Sequence, residues 1–465
     1  MSGRSELRNE GMGTKMKNLT AITGLAAAVA ALLAVPAKAQ EAAAAAAEAM
    51  AEMAPIVDKG DVAWMMTSSL LVLFMIIPGL ALFYGGMVRS KNMLSVLMQC
   101  TMIAALVMVI WVFWGYSFAF GGSTSPYWGG TAKLFLSGVT VDSLVATFTE
   151  GVMLPEYVFI AFQMTFAAIT PALIVGAFAE RIKFSAVLLF VTLWVTFVYF
   201  PIAHMVWDGS GLIFNWGAID FAGGTVVHIN AGVAALVAAL VIGPRIGLGR
   251  DNMAPHSMTL TMVGAAMLWV GWFGFNAGSN LEATSGATLA MINTFVATAA
   301  AALAWCAIEA LVRGKASGLG AASGIVAGLV AITPAAGTVG PVGGIVLGAL
   351  AAAACYGAVA VVKVRAGYDD SLDCFGIHGI GGIVGAIGTG ILTAPWLGGT
   401  GAEDFSIAAQ SWIQIKAVLV TILWSGAATL VILYVVKAVT GLRSSEEDER
   451  QGLDLTSHGE SAYHA

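Results

Sequence analysis

Residues 220–242 read DFAGGTVVHINAGVAALVAALVI, twenty-three positions with one acid, Asp220, and one histidine, His228. The apolar run is long enough to cross ~30 Å of hydrocarbon as a helix, and a polar residue in such a run is costly unless it has a purpose. Residues 373–393, DCFGIHGIGGIVGAIGTGILT, repeat the pattern: an acid at Asp373, glycines, then His378 in an apolar segment. Around His378, glycines 376, 379, 382, 385 and 388 recur every third residue, a spacing that predicts a smooth face on which another helix can lie.

Working outward, eleven such blocks are predicted, over 62–84, 94–119, 156–178, 184–206, 223–242, 256–276, 286–310, 318–336, 340–362, 374–393 and 415–440. The whole chain of 465 residues is 58% hydrophobic and only 10% charged, too few charges to cover a water-facing surface of this size. A soluble enzyme and a disordered protein are excluded, and nothing in the charge pattern points to nucleic acid. The 56 glycines suit close helix packing. The four cysteines, Cys100, Cys306, Cys355 and Cys374, have no metal-type spacing and are expected to be free packing residues.

Charge sets the expected orientation. Of sixteen Lys and Arg after residue 40, thirteen fall on one side of an eleven-span arrangement, and only Lys59, Lys133 and Lys416 on the other. The positive-inside rule then places the N-terminus outside and the C-terminus in the cytoplasm. The outer loops carry Asp142, Glu150, Glu156, Asp208, Glu282, Glu403 and Asp404, either a weak attractant for a small cation or ordinary solvated loop residues. Residues 1–39 read as a signal peptide, with Met16 an alternative start, 40–61 as an Ala-rich periplasmic leader, 62–440 as the membrane domain and 441–465 as a cytoplasmic regulatory tail.

The two histidines lie five spans apart, so the second enters from the opposite side. That is the pattern of an inverted repeat, spans 1–5 against 6–10 with an eleventh helix added, and it places a pathway near the midplane. Asp220 has two readings, a cap for the fifth span or a fixed charge favouring a nearby cation, with capping expected first. His204, before Trp207, is expected at the membrane interface; His256, His458 and His464 carry no special signal. Phe275 and Ser279 are one helical turn apart and share a face. With Phe166 and Trp207 they offer an aromatic wall and a hydroxyl, a suitable receptor for a small ammonium-type cation.

DFAGGTVVHIN from Asp220, WFGFNAGS from Trp272, AERIKFSAVL from Ala179, PIAHMVW from Pro201, IPGLALFYGG from Ile77 and FGIHGIGGIVG from Phe375 closely resemble bacterial ammonium transporters of the Amt/Mep family. The resemblance covers roughly residues 60–458, including the tail EEDERQGLDLTSHGE, and the chain departs from the family pattern at its extended N-terminus. It implies an all-α polytopic fold of eleven helices with a pseudo-twofold inverted repeat, a homotrimer with one pore per subunit, in the bacterial inner membrane. Carried over by motif, Trp207, Ser279 and Phe166 form an outer cation site, Phe166 and Phe275 a stacked gate, and His228 and His378 the pore pair. Asp220 then supports the site, with Gln163 and Phe162 beside it. Ammonium, or methylammonium as analogue, is expected to shed its proton near the gate and to pass as ammonia, with or without separate proton passage; no catalytic residue, metal or cofactor is implied. The tail and cytoplasmic face are expected to bind a PII-type signal protein of the GlnK kind. Two other readings are an ammonium sensor or transceptor, and a membrane haem oxidoreductase with His228 and His378 as axial ligands.

Overall fold

The computed structural model describes residues 56–463; the expected signal peptide and the leader up to residue 55 lie outside the described residues. Among the described residues, eleven helices are long and apolar enough to cross a membrane: α1 (Lys59–Met87), α2 (Ser90–Phe120), α3 (Glu156–Phe178), α4 (Phe184–Trp207), α5 (Gly224–Ile242), α6 (Met258–Gly278), α7 (Ser285–Arg313), α8 (Gly318–Ala335), α9 (Pro341–Ala366), α10 (Phe375–Leu392) and α11 (Ile407–Val439). Ten of the eleven lie within four residues of the expected bounds at each end. The last begins earlier than the expected 415, because Ser406 caps its first turn by accepting from Ala409 N. Its polar first turns carry Gln414, whose amide binds both the N–H and the carbonyl of Ile219.

The helices do not run uniformly. α1 (at Met75–Leu80, around Pro78), α2 (Trp111–Gly115), α4 (Val195–Tyr199) and α9 (Ala358–Val362) each contain a π-helical segment. α5 and α10 both begin with one, Gly224–Ile229 and Phe375–Gly379, and each of these holds its helix's histidine. Such widened turns re-aim side chains and are common at functional positions.

α5 and α10 cross in contact. A Cβ on Gly232 would stand 2.3 Å from the backbone N of Gly379, so the bare glycine is what permits the crossing. The glycine stripe of α10 does not serve a single partner, contrary to expectation. Gly379 and Gly382 face α5, Gly385 faces Ala331 and Pro334 of α8, and Gly388 faces Leu347 of α9. Each three-residue step falls about 60° short of a full turn, so the stripe winds around the helix and meets three neighbours.

The far end, where α4 finishes, carries a small antiparallel hairpin of β1 (Leu144–Ala146) and β2 (Met153–Pro155) in the long connection after α2. Two of the acids expected to face water there are buried. Glu156 accepts from the Tyr116 hydroxyl at 2.6 Å and pairs with Lys133, and Glu282 accepts from Thr149 N and Oγ1 at 3.0 and 2.8 Å. They hold loops together and add little to an attracting field.

At the basic end, charges of separate loops form a buried network. Glu180 accepts from Arg89 and lies 3.4 Å from Arg245, which also binds Asp369 at 2.8 Å. Burial pushes the Glu180 carboxyl up, but Arg89 and Arg245 overcome it and hold it below the usual range. Burial pushes the Arg181 guanidinium down to about 10; it donates to the carbonyls of Ala177, Ala179, Gly243 and Asp369. Arg89, Arg181 and Arg245 therefore do more than mark a side of the membrane.

The tail is folded onto this end as two short helices, α12 (Glu446–Gln451) and α13 (Leu453–His458). Ser445 and Asp448 form a capping box on α12, and Arg443 pairs with Glu449. Leu453 N donates to Asn92 Oδ1 at 2.8 Å, and Ser95 N donates to Asp454 Oδ1 at 2.7 Å. The four cysteines are free.

Candidate functional site

Helices α3, α4, α5, α6 and α10 bring the expected residues into one line of rings. Trp207, half-buried at the last residue of α4, meets Phe166 of α3 edge-on at 5.7 Å between centroids. Phe166 stacks on Phe275 of α6 at 4.1 Å and 23°, and both are fully buried. Phe275 lies 5.9 Å from the His228 ring, and His228 lies 5.3 Å from the His378 ring at 17°. Phe162 tilts against Phe166 at 4.9 Å. Gln163, also buried, leaves its Oε1 without a protein partner.

The two imidazoles meet through Nδ1 atoms 3.2 Å apart. A neutral imidazole has one N–H and one lone pair, so one ring donates and the other accepts, and their tautomers are linked. His228 Nε2 is buried with no protein partner, and His378 is bonded only through Nδ1. This direct contact leaves no room for an iron and macrocycle between the rings, so the axial-ligand reading of the two histidines fails on geometry.

The polar groups around the rings are committed in specific ways. Ser279 Oγ donates its hydrogen to the Phe275 carbonyl at 2.8 Å, which leaves its oxygen lone pairs free to accept. Trp207 Nε1 donates to the backbone carbonyl of Asp220 at 3.0 Å, fixing the ring and leaving its face available. The Asp220 carboxylate accepts from the N–H groups of Gly223, Gly224, Thr225 and Val226 at 3.1, 2.5, 2.9 and 3.3 Å and from the Thr225 hydroxyl. Burial pushes this carboxyl up from its ordinary range, and those donors pull against it. Both oxygens are used by the backbone at the start of α5, the geometry of a cap.

Trp272, within WFGFNAGS, joins the site without standing out in the sequence. It stacks on His228 at 5.3 Å and 18°, and its Nε1 donates to Thr333 Oγ1 at 2.9 Å. The available signal was spacing: Trp272, Phe275 and Ser279 stand at i, i+3 and i+7, one face of α6. His204 departs from its expected interfacial place. It is fully buried, with Nδ1 2.8 Å from the Ala119 carbonyl and Nε2 2.7 Å from that of Ser125, and so joins α4 to α2 and the loop that follows it. The upstream acid at His378 also differs. Asp373 pairs with Lys363 at 2.5 Å, and it is Asp370 that accepts from the first turn of α10, at Phe375 N.

A family model described as Ammonium Transporter Family matches residues 63–463. An ammonium transporter of Aquifex aeolicus is 50% identical over 412 residues, 88% of this chain and 94% of that one. An ammonium transporter of Bacillus subtilis is 46% identical over 411 residues, 88% and 99% of the two chains. Among solved structures, Mep2 of Saccharomyces cerevisiae is similar with a TM-score of 0.76 and 34% identity, covering 84% of this chain and 88% of that one. A chain described as Sensor Amt Protein is similar with a TM-score of 0.78 and 28% identity, covering 86% and 98%.

Proposed function

Since this chain belongs to the ammonium transporter family, we propose that it admits ammonium at the Trp207 end and conducts ammonia along the ring line to the basic end. The observation that carries the reading is the unbroken run Trp207–Phe166–Phe275–His228–His378, with Ser279 as the hydroxyl beside its entrance.

Ammonium entering beside Trp207 and Phe166 exchanges part of its hydration for ring faces, worth up to ~2 kcal/mol when the site is dry. The Ser279 oxygen, its own hydrogen already given to Phe275, accepts one ammonium N–H. The Phe166–Phe275 stack bars a hydrated ion from going further, since moving a charge into an apolar passage is costly. Ammonium gives a proton to water here, its N–H breaking as an O–H forms, and the neutral ammonia passes when the rings part, with or without separate passage of that proton. The linked imidazoles then offer a donor and an acceptor to a molecule that needs both. Potassium has no proton to give and cannot take this route.

The same reading places the protein in a bacterial inner membrane, N-terminus outside and C-terminus in the cytoplasm, as a homotrimer. The basic end and its folded tail then face a PII-type signal protein of the GlnK kind. An inverted relation of spans 1–5 to 6–10 is supported by α5 and α10 both starting in π-helical turns that carry a histidine. A second reading, ammonium sensing, rests on the likeness to the Sensor Amt Protein chain.

The test is current on a solid-supported membrane after ammonium, methylammonium and potassium pulses. Ammonium and methylammonium evoke charge movement and potassium does not. Uptake of methylammonium into proteoliposomes is read beside the current, since ammonia passing without its proton moves no charge; neither current nor uptake in protein that is folded and monodisperse overturns transport.

A further inference from the structure

The sequence distance from Asp220 to His228 is eight residues, and the distance from Asp370 to His378 is also eight. The two carboxylates stand at the starts of α5 and α10, helices that enter from opposite ends of the molecule. They are treated very differently. Asp220 has five donors spread over both oxygens. Asp370 accepts from Phe375 N at 2.7 Å through Oδ2, and its Oδ1, buried in a residue with no exposed surface, has no protein partner. A helix cap needs only the first of these oxygens. An orphaned buried carboxylate oxygen costs free energy that a purely structural aspartate would avoid.

We propose that Asp370 is the proton-exchange group of the basic end, eight residues before His378 and just ahead of α10, where its free Oδ1 takes up a proton and hands it to ammonia leaving the pore. The inference rests on the transport reading above. In the exchange the Oδ1–H bond breaks as an N–H bond forms on the ammonia lone pair, giving ammonium and the carboxylate. The carboxylate is reloaded by a proton from water on the pore side, whose O–H breaks as Oδ1–H forms; nothing is oxidised or reduced.

The surroundings suit this role. Burial pushes the Asp370 carboxyl up to about 6, with Lys363 pulling it down and Asp373 pushing it further up, which puts it in the range where a carboxyl can both hold and release a proton near neutrality. Lys363 is engaged elsewhere, donating to the Asp370 carbonyl at 2.6 Å and to Asp373 at 2.5 Å, so it offsets the charge without occupying Oδ1. From α1, Tyr84 donates its hydroxyl to the Leu173 carbonyl at 2.9 Å, and the Cys374 thiol donates to the same carbonyl at 3.1 Å. Arg181 donates to the Asp369 carbonyl and Asp369 is taken by Arg245. The Cys374 N–H also pulls the carboxyl down, and the Tyr368 hydroxyl, itself raised by burial and by the charges of Asp370 and Asp373, is the remaining titratable neighbour; Oδ1 has no hydrogen-bond partner among them.

Asp370→Asn keeps an oxygen for Phe375 N–H but cannot carry the proton; Asp370→Glu keeps the acid. Infrared difference spectra of wild type against Asp370→Asn, taken from about pH 4.5 to about pH 7.5, read protonation directly and need no transport. A carboxylic-acid C=O band that titrates near pH 6 in the wild type and is missing from Asp370→Asn is expected. In the current assay Asp370→Asn is expected to lose on the order of tenfold at neutral pH and to show a flat residual across that range, with Asp370→Glu restoring part of both amplitude and pH dependence. No titrating band in the wild type, or an Asp370→Asn current with wild-type amplitude and pH profile, overturns the proposal. Should the wild type show neither ammonium current nor methylammonium uptake, the transport reading fails while the infrared titration still decides whether Asp370 exchanges a proton.

Discussion

His228 and His378, 150 residues apart in the chain, share one hydrogen bond between Nδ1 atoms at 3.2 Å. The bond joins α5 to α10 where Gly232 and Gly379 let their backbones touch, and Trp272 supports the pair from one side.

Replacing one member of the pair strands the other. His378→Ala leaves both nitrogens of the buried His228 ring without a protein partner, a loss of about 1–3 kcal/mol. His228→Ala strands His378 Nδ1 in the same way. The double variant is expected to be more stable than the sum of the singles by about 1 kcal/mol, read by thermal unfolding of the solubilised protein. Both singles are expected to change ammonium current or potassium exclusion; if neither moves in either variant, the paired role is wrong.

At the entrance, ring and hydroxyl contribute separately. Trp207→Leu removes a cation–π face worth up to ~2 kcal/mol, so half-saturation by ammonium rises by up to about 30-fold. Ser279→Ala removes an acceptor for a charged donor and raises it by about tenfold, with the Phe166–Phe275 stack intact. Concentration series of the evoked current measure both. Equal half-saturation in wild type and Trp207→Leu would contradict an aromatic recruitment site.

Asp370 makes stability depend on pH with a definite sign. Its folded carboxyl lies at about 6, above its ordinary value of 3.8, so the fold favours the neutral form. The contribution is fully present below the ordinary value and is lost as pH rises through about 6, on the order of 3 kcal/mol in all. Asp370→Asn escapes this loss. Its unfolding temperature relative to wild type should therefore rise between about pH 4 and about pH 7 and be level above that; an offset that does not change with pH counts against the buried carboxyl.

The tail tests the docking of α12 and α13. Gly452 has φ 112°, and a Cβ there would lie 2.7 Å from the Lys91 carbonyl oxygen. Gly452→Ala should loosen α13, and the amides that it protects, Ser95 and Leu453, should exchange with deuterium faster while those of α5 and α10 do not. Unaltered exchange at both amides would show that α13 docks without that turn.

Composition and pattern determined the eleven crossings, because an apolar solvent requires each span to close its backbone hydrogen bonds within itself and to be long enough to cross. They also determined the two histidines, since an ionisable residue in hydrocarbon is conspicuous. Boundaries were less legible where polar turns extend a helix past the membrane, as Gln410 to Lys416 do in α11. The site needed tertiary structure. Trp272 is an ordinary apolar residue until His228 of another helix lies against it, and His204 resembles an interfacial histidine until the carbonyls of Ala119 and Ser125 enclose it. Asp370 and Asp373 are acids three residues apart in the sequence; only the position of Lys363 on α9 and the direction of Phe375 N separate an ion-paired carboxylate from one with a free oxygen. The solvent a span must satisfy is written along the chain, one helix at a time, whereas the partner that completes a polar group comes from helices far away in sequence and is settled by packing alone.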